Sequence, residues 1–220
     1  MSEPLVMCLT NTVAANFTAN VLLAIGAKPA MIEEPSEAAQ LAAAAGAVLV
    51  NVGTIDERQA AVMRAAIAVC REKKVQWVLD PVAAHLLAFR AGLIEEFLSS
   101  GPSMIRGNRD EIEWLRGRFN TDAVLLATGE RDEIYAAGAT PRIITGGVPM
   151  LQRVTATGCA QGAICAAFLA AGKSPVEAAV SASRLMKTAG EIAWEKSEKP
   201  GSFKTALIDA LYQLTEGKIR

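Results

Sequence analysis

Five short apolar runs in this 220-residue chain end on residues able to do chemistry. The endings are Thr10-Asn11, Asn51 with Gly53-Thr54, Asp80-Pro81, Arg106-Gly107-Asn108 and Thr128-Gly129-Glu130. In an open α/β sheet, ligands gather at the carboxyl ends of parallel strands. Each ending alone also suits a turn; together they read as one polar cleft. A further segment, Thr155-Ala156-Thr157-Gly158-Cys159, runs straight into a helical pattern. A glycine-containing turn at a helix start leaves N–H groups without partners at the positive end of the helix dipole, a site for phosphate or developing negative charge. Cys159 would stand there, where a thiol's pKa is typically depressed. The alternative is a plain cap followed by a buried cysteine.

Asp80 directly follows Trp77-Val78-Leu79, so its carboxylate either contacts a metal or hydroxyl group or caps the next segment. Asn108 and Glu111 stand three apart at a helix start, where both can face a hydrated metal or can cap the helix as a pair. Arg106 offers a planar fork suited to phosphate. His85 is the one histidine and lies in the apolar stretch Ala83-Ala84-His85-Leu86-Leu87, which reads as packed or partly exposed rather than catalytic. Cys8, Cys70, Cys159 and Cys165 form neither a CxxC pair nor a metal spacing with histidine, which argues against zinc and against a disulfide framework.

The elements that would position these groups alternate along the chain, the mark of a mostly parallel sheet with helices outside. Strands are expected at Val6–Leu9, Pro29–Ile32, Val48–Val52, Trp77–Leu79, Met104–Arg106 and Val124–Thr128. Thr54-Ile55-Asp56-Glu57 reads as a capping box before a helix ending near Lys74. Ser36 precedes an alanine-rich helix that stops at Gly46. From Glu133 to Arg153, turns at Gly138 and Gly146-Gly147 suggest a local antiparallel flap or sheet edge. Helices follow at Cys159–Ala171, after Ser174-Pro175-Val176-Glu177, and from Gly201-Ser202 to about Thr215. With no repeat and no composition break, residues 1–220 read as one three-layer α/β domain.

Composition fits that reading. Hydrophobic residues make up 51% and charged residues 20%, so a large core is available. A net charge of -1 argues against a nucleic-acid footprint or a polybasic membrane surface. No apolar run reaches the ~18 residues of a membrane span. Met1-Ser2-Glu3-Pro4 lacks the basic start of a signal peptide, so the expected compartment is the cytoplasm.

With these residues in place, the chain resembles hydroxyethylthiazole kinase of thiamin salvage, a family of the ribokinase-like superfamily. The resemblance is carried by Pro4–Asn11, Asn16-Phe17-Thr18-Ala19-Asn20, Leu23-Ala24-Ile25-Gly26-Ala27, Asn51-Val52-Gly53-Thr54, Leu79-Asp80-Pro81-Val82, Ile105-Arg106-Gly107-Asn108, Thr128-Gly129-Glu130, Thr157-Gly158-Cys159 and Gly201-Ser202-Phe203. It implies a ribokinase-like fold, a homotrimer, and Mg²⁺-dependent transfer of the ATP γ-phosphate to the primary hydroxyl of 4-methyl-5-(2-hydroxyethyl)thiazole. It implies that Asn11 and Met31 line a thiazole pocket at a subunit boundary, with Ala156 also meeting substrate. Arg106 and Thr128 would contact ATP, and Asp80 and Glu111 would organise Mg²⁺ and its waters. The Thr157 and Gly158 amides would form an anion hole. Cys159 would stand where related sugar kinases carry a catalytic aspartate.

The chain departs from the family pattern at several places. Met7 stands where histidine is usual, Ala83-Ala84-His85-Leu86 replaces a stretch that commonly contains glycine, and Ala156 replaces glycine in the anion-hole turn. Against the family pattern, the segment between Glu111 and Thr128 is expected to be shorter by roughly a helix, and the family's leading helix before Pro4 is expected to be absent from this sequence. Two other readings therefore stand beside the kinase: a catalytically weak or inactive protein that still binds nucleotide or thiazole, and a kinase for another small alcohol.

Overall fold

Each of the six apolar runs forms a strand, with ends moved by at most two residues. The computed structural model describes residues 3–219; Met1 and Ser2, on which the reading of the chain start partly rests, lie outside the described residues. The parallel strands are β1 (Leu5–Leu9), β2 (Lys28–Met31), β3 (Ala47–Asn51), β4 (Trp77–Asp80), β5 (Met104–Asn108) and β6 (Val124–Thr128). The glycine-punctuated segment adds two antiparallel edge strands, β7 (Asp132–Tyr135) and β8 (Arg142–Ile144). Their order in the sheet is β2-β1-β3-β4-β5-β6-β7-β8. β1 therefore pairs with β2 on one side and β3 on the other, and the crevice between β1 and β3 is the point where an α/β sheet takes its ligands.

Central strands are covered on both faces, which is why they read as unbroken apolar runs. Val6 and Cys8 face a layer made by α1 (Thr12–Ala24), α6 (Thr157–Ala170), α7 (Pro175–Lys196) and α8 (Pro200–Thr215). Met7 and Leu9 face the opposite layer of α2 (Pro35–Ala42), α3 (Glu57–Lys73), α4 (Ala88–Leu98) and α5 (Arg109–Arg116). The expected three-layer architecture is what forms. Met7, one of the departures from the family pattern, is simply core. In α6 every residue from Ala160 to Leu169 is buried, so this helix runs through the interior and packs on β1, β3 and β4. Its start is thereby aimed at the carboxyl ends of the strands.

Helices α6 and α8 open at Thr157 and Pro200, slightly ahead of the expected Cys159 and Gly201, and two further helix starts differ in their caps. The capping box before α3 is Asp56 with Gln59, not Thr54 with Glu57: Asp56 Oδ1 accepts from the Gln59 N–H at 2.7 Å. Thr54 lies in the preceding turn at φ 46°. α2 opens at Pro35 with Glu34 as its cap, so Ser36 is already inside it, and the helix ends at Ala42 rather than at Gly46. Proline at the first helical position has a suitable φ and no N–H to leave unpaired, and it overrides the serine signal. Ser174 and Glu177 form the expected box before α7.

Candidate active site

Four strand ends and one helix start build a continuous polar line across the sheet. Asn51 and Asp80, the last residues of β3 and β4, are register partners and are both fully buried. Asn51 Nδ2 donates to Asp80 Oδ2 at 2.8 Å. Asn11, just after β1, bridges the crevice by donating from Nδ2 to Asn51 Oδ1 at 3.0 Å, while its own Oδ1 caps α1 by accepting from the Ala14 N–H at 2.9 Å. On the other side, Arg106 of β5 approaches Asp80 Oδ2 at 3.7 Å and donates to Thr128 Oγ1 at 2.7 Å. The order along the sheet is thus Asn11, Asn51, Asp80, Arg106, Thr128. Asn51 was visible only as a polar strand end; its coupling of Asn11 to Asp80 needs the register.

Above this line sits the start of α6. Several other helices open on a side-chain cap, but Ala156 provides none. Ala160 is the first residue whose N–H bonds back to Ala156, and the N–H groups of Thr157, Gly158 and Cys159 have no acceptor among the described residues. The Thr157 hydroxyl turns away and donates to the Leu151 carbonyl at 2.7 Å, which fixes the turn rather than filling the site. A Cβ placed on Gly158 would lie 2.8 Å from both terminal nitrogens of Arg106, so only glycine lets the guanidinium reach the helix start. A cation and three free amides converge there, and the arrangement accepts an anion.

Ala156 holds φ 72° and Ala83 φ 55°, the left-handed region that favours glycine. Ala156 stands where the family resemblance places glycine, and Ala83 lies in a stretch that commonly contains one, so positive-φ backbone is kept here by residues that carry a Cβ. Glu111 maintains one of these turns. Its Oε1 accepts from the Ala83 N–H at 2.8 Å and its Oε2 from the Asn108 N–H at 2.8 Å. The Asn108 and Glu111 pair is a capping box, and its acid also clamps the loop after β4.

Electrostatics separate the two candidate reactive acids. Burial pushes the Asp80 carboxyl up to about 7; Arg106 pulls it down, Glu111 pushes it up and the Asn51 hydrogen bond opposes burial. Asp80 Oδ1 is buried without a hydrogen-bond partner. Burial likewise raises the Cys159 thiol, the Asp80 charge adds to this, and Arg106, Asn51 and Asn11 oppose it. The expected depression of Cys159 is therefore reversed: desolvation, aided by the Asp80 charge, outweighs Arg106 and the two asparagines. The thiol keeps its proton and accepts a long contact from Asn11 Nδ2 at 3.6 Å.

A cleft of about 450 Å³ opens beside this line, bordered by Arg106, Thr128, Thr157, Gly158, Gln161 and Lys187. Gln161, Lys187 and Asp132, which also lines it, escaped the sequence reading. A charged residue on the otherwise apolar face of α7 was the available signal for Lys187. Met31 stands apart from the cleft, half-buried on edge strand β2. Asp80 and Met31 lie three strands apart, about 14 Å at ~4.8 Å per strand. His85 is partly exposed, as expected.

The family model for hydroxyethylthiazole kinase matches residues 1–121 and 117–217. The chain belongs to the hydroxyethylthiazole kinase family. The hydroxyethylthiazole kinase of Escherichia coli O9:H4 (strain HS) is 42% identical over 238 aligned residues, covering 97% of this chain and 90% of the relative. The enzyme of Shigella flexneri serotype 5b (strain 8401) matches to the same extent. The structure of the hydroxyethylthiazole kinase protein from Pyrococcus horikoshii OT3 superposes with TM-score 0.92 at 34% identity, over 96% of this chain and 88% of that one. A pyridoxal kinase of Bacillus subtilis in complex with ADP has TM-score 0.63 at 17% identity, covering 86% and 92%, and shares the fold.

An alignment of 238 residues exceeds the 220 of this chain, so the family relatives carry residues without counterpart here. The two matched segments overlap at 117–121, inside the link from α5 to β6, within the region that the resemblance marks as short. Here Trp114 and Phe119 pack edge to face at 5.6 Å and the Arg116 guanidinium lies 4.1 Å over the Tyr135 ring, closing the face beside β6. The donor set for a hard cation is also small. No group of three or more His, Cys, Asp or Glu side chains gathers among the described residues. The unpartnered Asp80 oxygen, with Glu111 near enough to raise its proton affinity, suits an ion held by one or two carboxylates and otherwise by water and phosphate.

Proposed function

We propose that this chain is a hydroxyethylthiazole kinase that transfers the γ-phosphoryl group of ATP to the primary hydroxyl of 4-methyl-5-(2-hydroxyethyl)thiazole. The observation that carries the reading is the meeting of three unpartnered α6 amides and the Arg106 guanidinium at the cleft, with the buried Asp80 carboxylate 3.7 Å from that guanidinium. Phosphoryl transfer needs positioning and charge neutralisation more than covalent chemistry, and these groups supply both. Arg106 and Thr128 hold the phosphates from the β5 and β6 side. The Thr157, Gly158 and Cys159 amides hold the charge that spreads over the transferred group. The alcohol oxygen bonds to phosphorus as the bridge to the β-phosphate breaks, and the alcohol proton leaves late, to solvent.

Asp80 and Glu111 would hold Mg²⁺, partly through water; when bound, the ion neutralises phosphate charge and orients the leaving group. Cys159, being a neutral thiol, serves as a packing and hydrogen-bonding neighbour of Asn11 rather than as a base. Asn11 and Ala156 border the alcohol. Met31 contributes from a neighbouring copy in a cytoplasmic homotrimer, which reconciles its distance from Asp80 within one chain with a part in the pocket. Residues 1–220 act as a single catalytic domain.

ADP release from the purified chain with Mg-ATP, with and without the thiazole alcohol, tests the proposal. Thiazole-dependent ADP release, lost in Asp80→Ala, supports it. The short link at 117–121 favours a second reading, a binder without turnover; folded protein that binds ADP and the alcohol but releases no ADP from ATP would establish that reading instead. A panel of other small alcohols in the same assay distinguishes the third.

A further inference from the structure

α7 carries a lysine on its buried face. Ala179, Ser183, Met186 and Gly190 define that face, and Lys187 shares it with only 6% of its surface exposed. The Lys187 Nζ donates to the carbonyls of Gly129 at 3.2 Å, Glu130 at 3.0 Å and Gly146 at 3.0 Å, and lies 3.3 Å from Asp132 Oδ1. Four oxygens thus surround an ammonium with three N–H bonds. Burying a charge is unfavourable unless such a shell surrounds it, and a methionine would fill the same space without the charge. Packing alone does not account for a lysine here.

Three of the oxygens are carbonyls of two turns that flank the start of β7, and the fourth belongs to Asp132, the first residue of that strand. Gly129 and Glu130 link β6 to β7, and Gly146 follows β8. The peptide between Gly146 and Gly147 is held at both ends by α7: its carbonyl by Lys187, and its N–H by Glu191 Oε1 at 2.6 Å, one helical turn further on. Asp132 extends the tie by accepting from the Gly129 N–H at 3.2 Å and from Gln161 Nε2 of α6 at 3.0 Å. The tied turns form a wall between the cleft beside Arg106 and a second hollow of about 730 Å³ lined by Arg109, Glu130, Arg131 and Gly146-Gly147. In the sheet order this wall lies on the β6–β8 side, about four strand spacings from Asn11 at the end of β1, or ~19 Å.

We infer that Lys187 is a positioning residue for the nucleotide, fixing both turns so that ATP meets a preformed wall. The inference rests on the proposed reading in one respect, that nucleotide occupies the cleft beside Arg106. Preorganising a site lowers the ordering cost of binding, so loosening the wall weakens the substrate that touches it and spares the one that does not.

The test compares the full chain with Lys187→Met, varying ATP at saturating thiazole and thiazole at saturating ATP. The expected result is a rise in KM for ATP of about tenfold, with KM for thiazole within about twofold, and a parallel loss in the affinity of a fluorescent ADP measured without turnover. Lys187→Ala supplemented with n-propylammonium supplies a second measurement, in which the amine restores nucleotide affinity towards that of the unaltered chain. Unchanged KM for ATP, an equal rise for both substrates, or no amine response overturns the inference. So does failure of both variants to fold with or without the amine, which makes Lys187 a stability residue. Absence of thiazole-dependent ADP release in the unaltered chain sinks the kinase reading instead, while the ADP affinities still decide the role of Lys187.

Discussion

A carboxylate held dry with one oxygen unpaired destabilises the protein that carries it, and Asp80 is such a residue. The folded chain binds the Asp80 proton up to about pH 7, against an ordinary value near 4 in the unfolded chain. Unfolding therefore releases that proton between the two values, so this group's contribution falls as pH rises from about 4 to about 7 and is flat above. Asp80→Asn removes the buried charge. Melted in chelator at pH 8, it is expected to gain about 1–3 kcal/mol over the unaltered chain, and less at pH 5, while losing turnover by about a hundredfold or more. A variant melting below the unaltered chain at pH 8 would contradict this account. Cys159 makes the opposite case: because its thiol is neutral, Cys159→Ala is expected to lower kcat by about tenfold at most. Cys159→Asp, placed near Arg106, keeps or raises it. Complete loss in a folded alanine variant, read by ADP release, would show that the thiol takes part in the reaction. Polar residues at strand ends were legible because apolar runs stop abruptly at them. The sign of the Cys159 shift was not, because it depends on how much water the surrounding fold excludes.

Helix starts carry the next level of control, and α6 shows what a start can do when no side chain caps it. Its Ala156 adopts φ 72°, which costs a residue with a Cβ roughly 1–2 kcal/mol, against a glycine penalty of roughly 0.5–1 kcal/mol from the freer unfolded chain. Ala156→Gly is accordingly expected to stabilise by about 0.5–1 kcal/mol, a rise of about 1–4 °C in a domain of this size, and to leave turnover equal or higher. A lower melting temperature would mean that the methyl packs favourably enough to offset its backbone strain. Strands and long helices were readable from periodicity. The caps were not, where two signals competed within a few residues, as with Pro35 against Ser36 and Asp56 against Thr54. Spacing allows the Asn108 and Glu111 pair both a metal-facing and a capping sense, and the capping sense is built. That the same Glu111 reaches the Ala83 N–H could not be inferred from spacing, since 28 residues separate them.

At the scale of the whole molecule, long-range partners are where a single sequence is least informative. Lys187 lies 41 to 58 residues from the carbonyls it binds. The same limit applies to assembly. Along α1, Val13, Asn16, Asn20 and Leu23 share the outward face, with Val13 60% and Leu23 59% exposed, while Leu86 after β4 is 73% exposed. Burying such side chains is worth about 1.5–3 kcal/mol each, so these positions can hold copies together. The homotrimer proposed above is expected to scatter light as three copies of the 23.2 kDa chain. If α1 lies in its interface, Val13→Lys combined with Leu23→Lys gives a monomer that binds fluorescent ADP normally, because the nucleotide wall sits at the far end of the sheet. The same variant loses thiazole-dependent ADP release, because Met31 no longer reaches a neighbouring site. A monomeric unaltered chain with full thiazole-dependent activity would refute the shared pocket and require Met31 to act, if at all, across three strands of its own sheet.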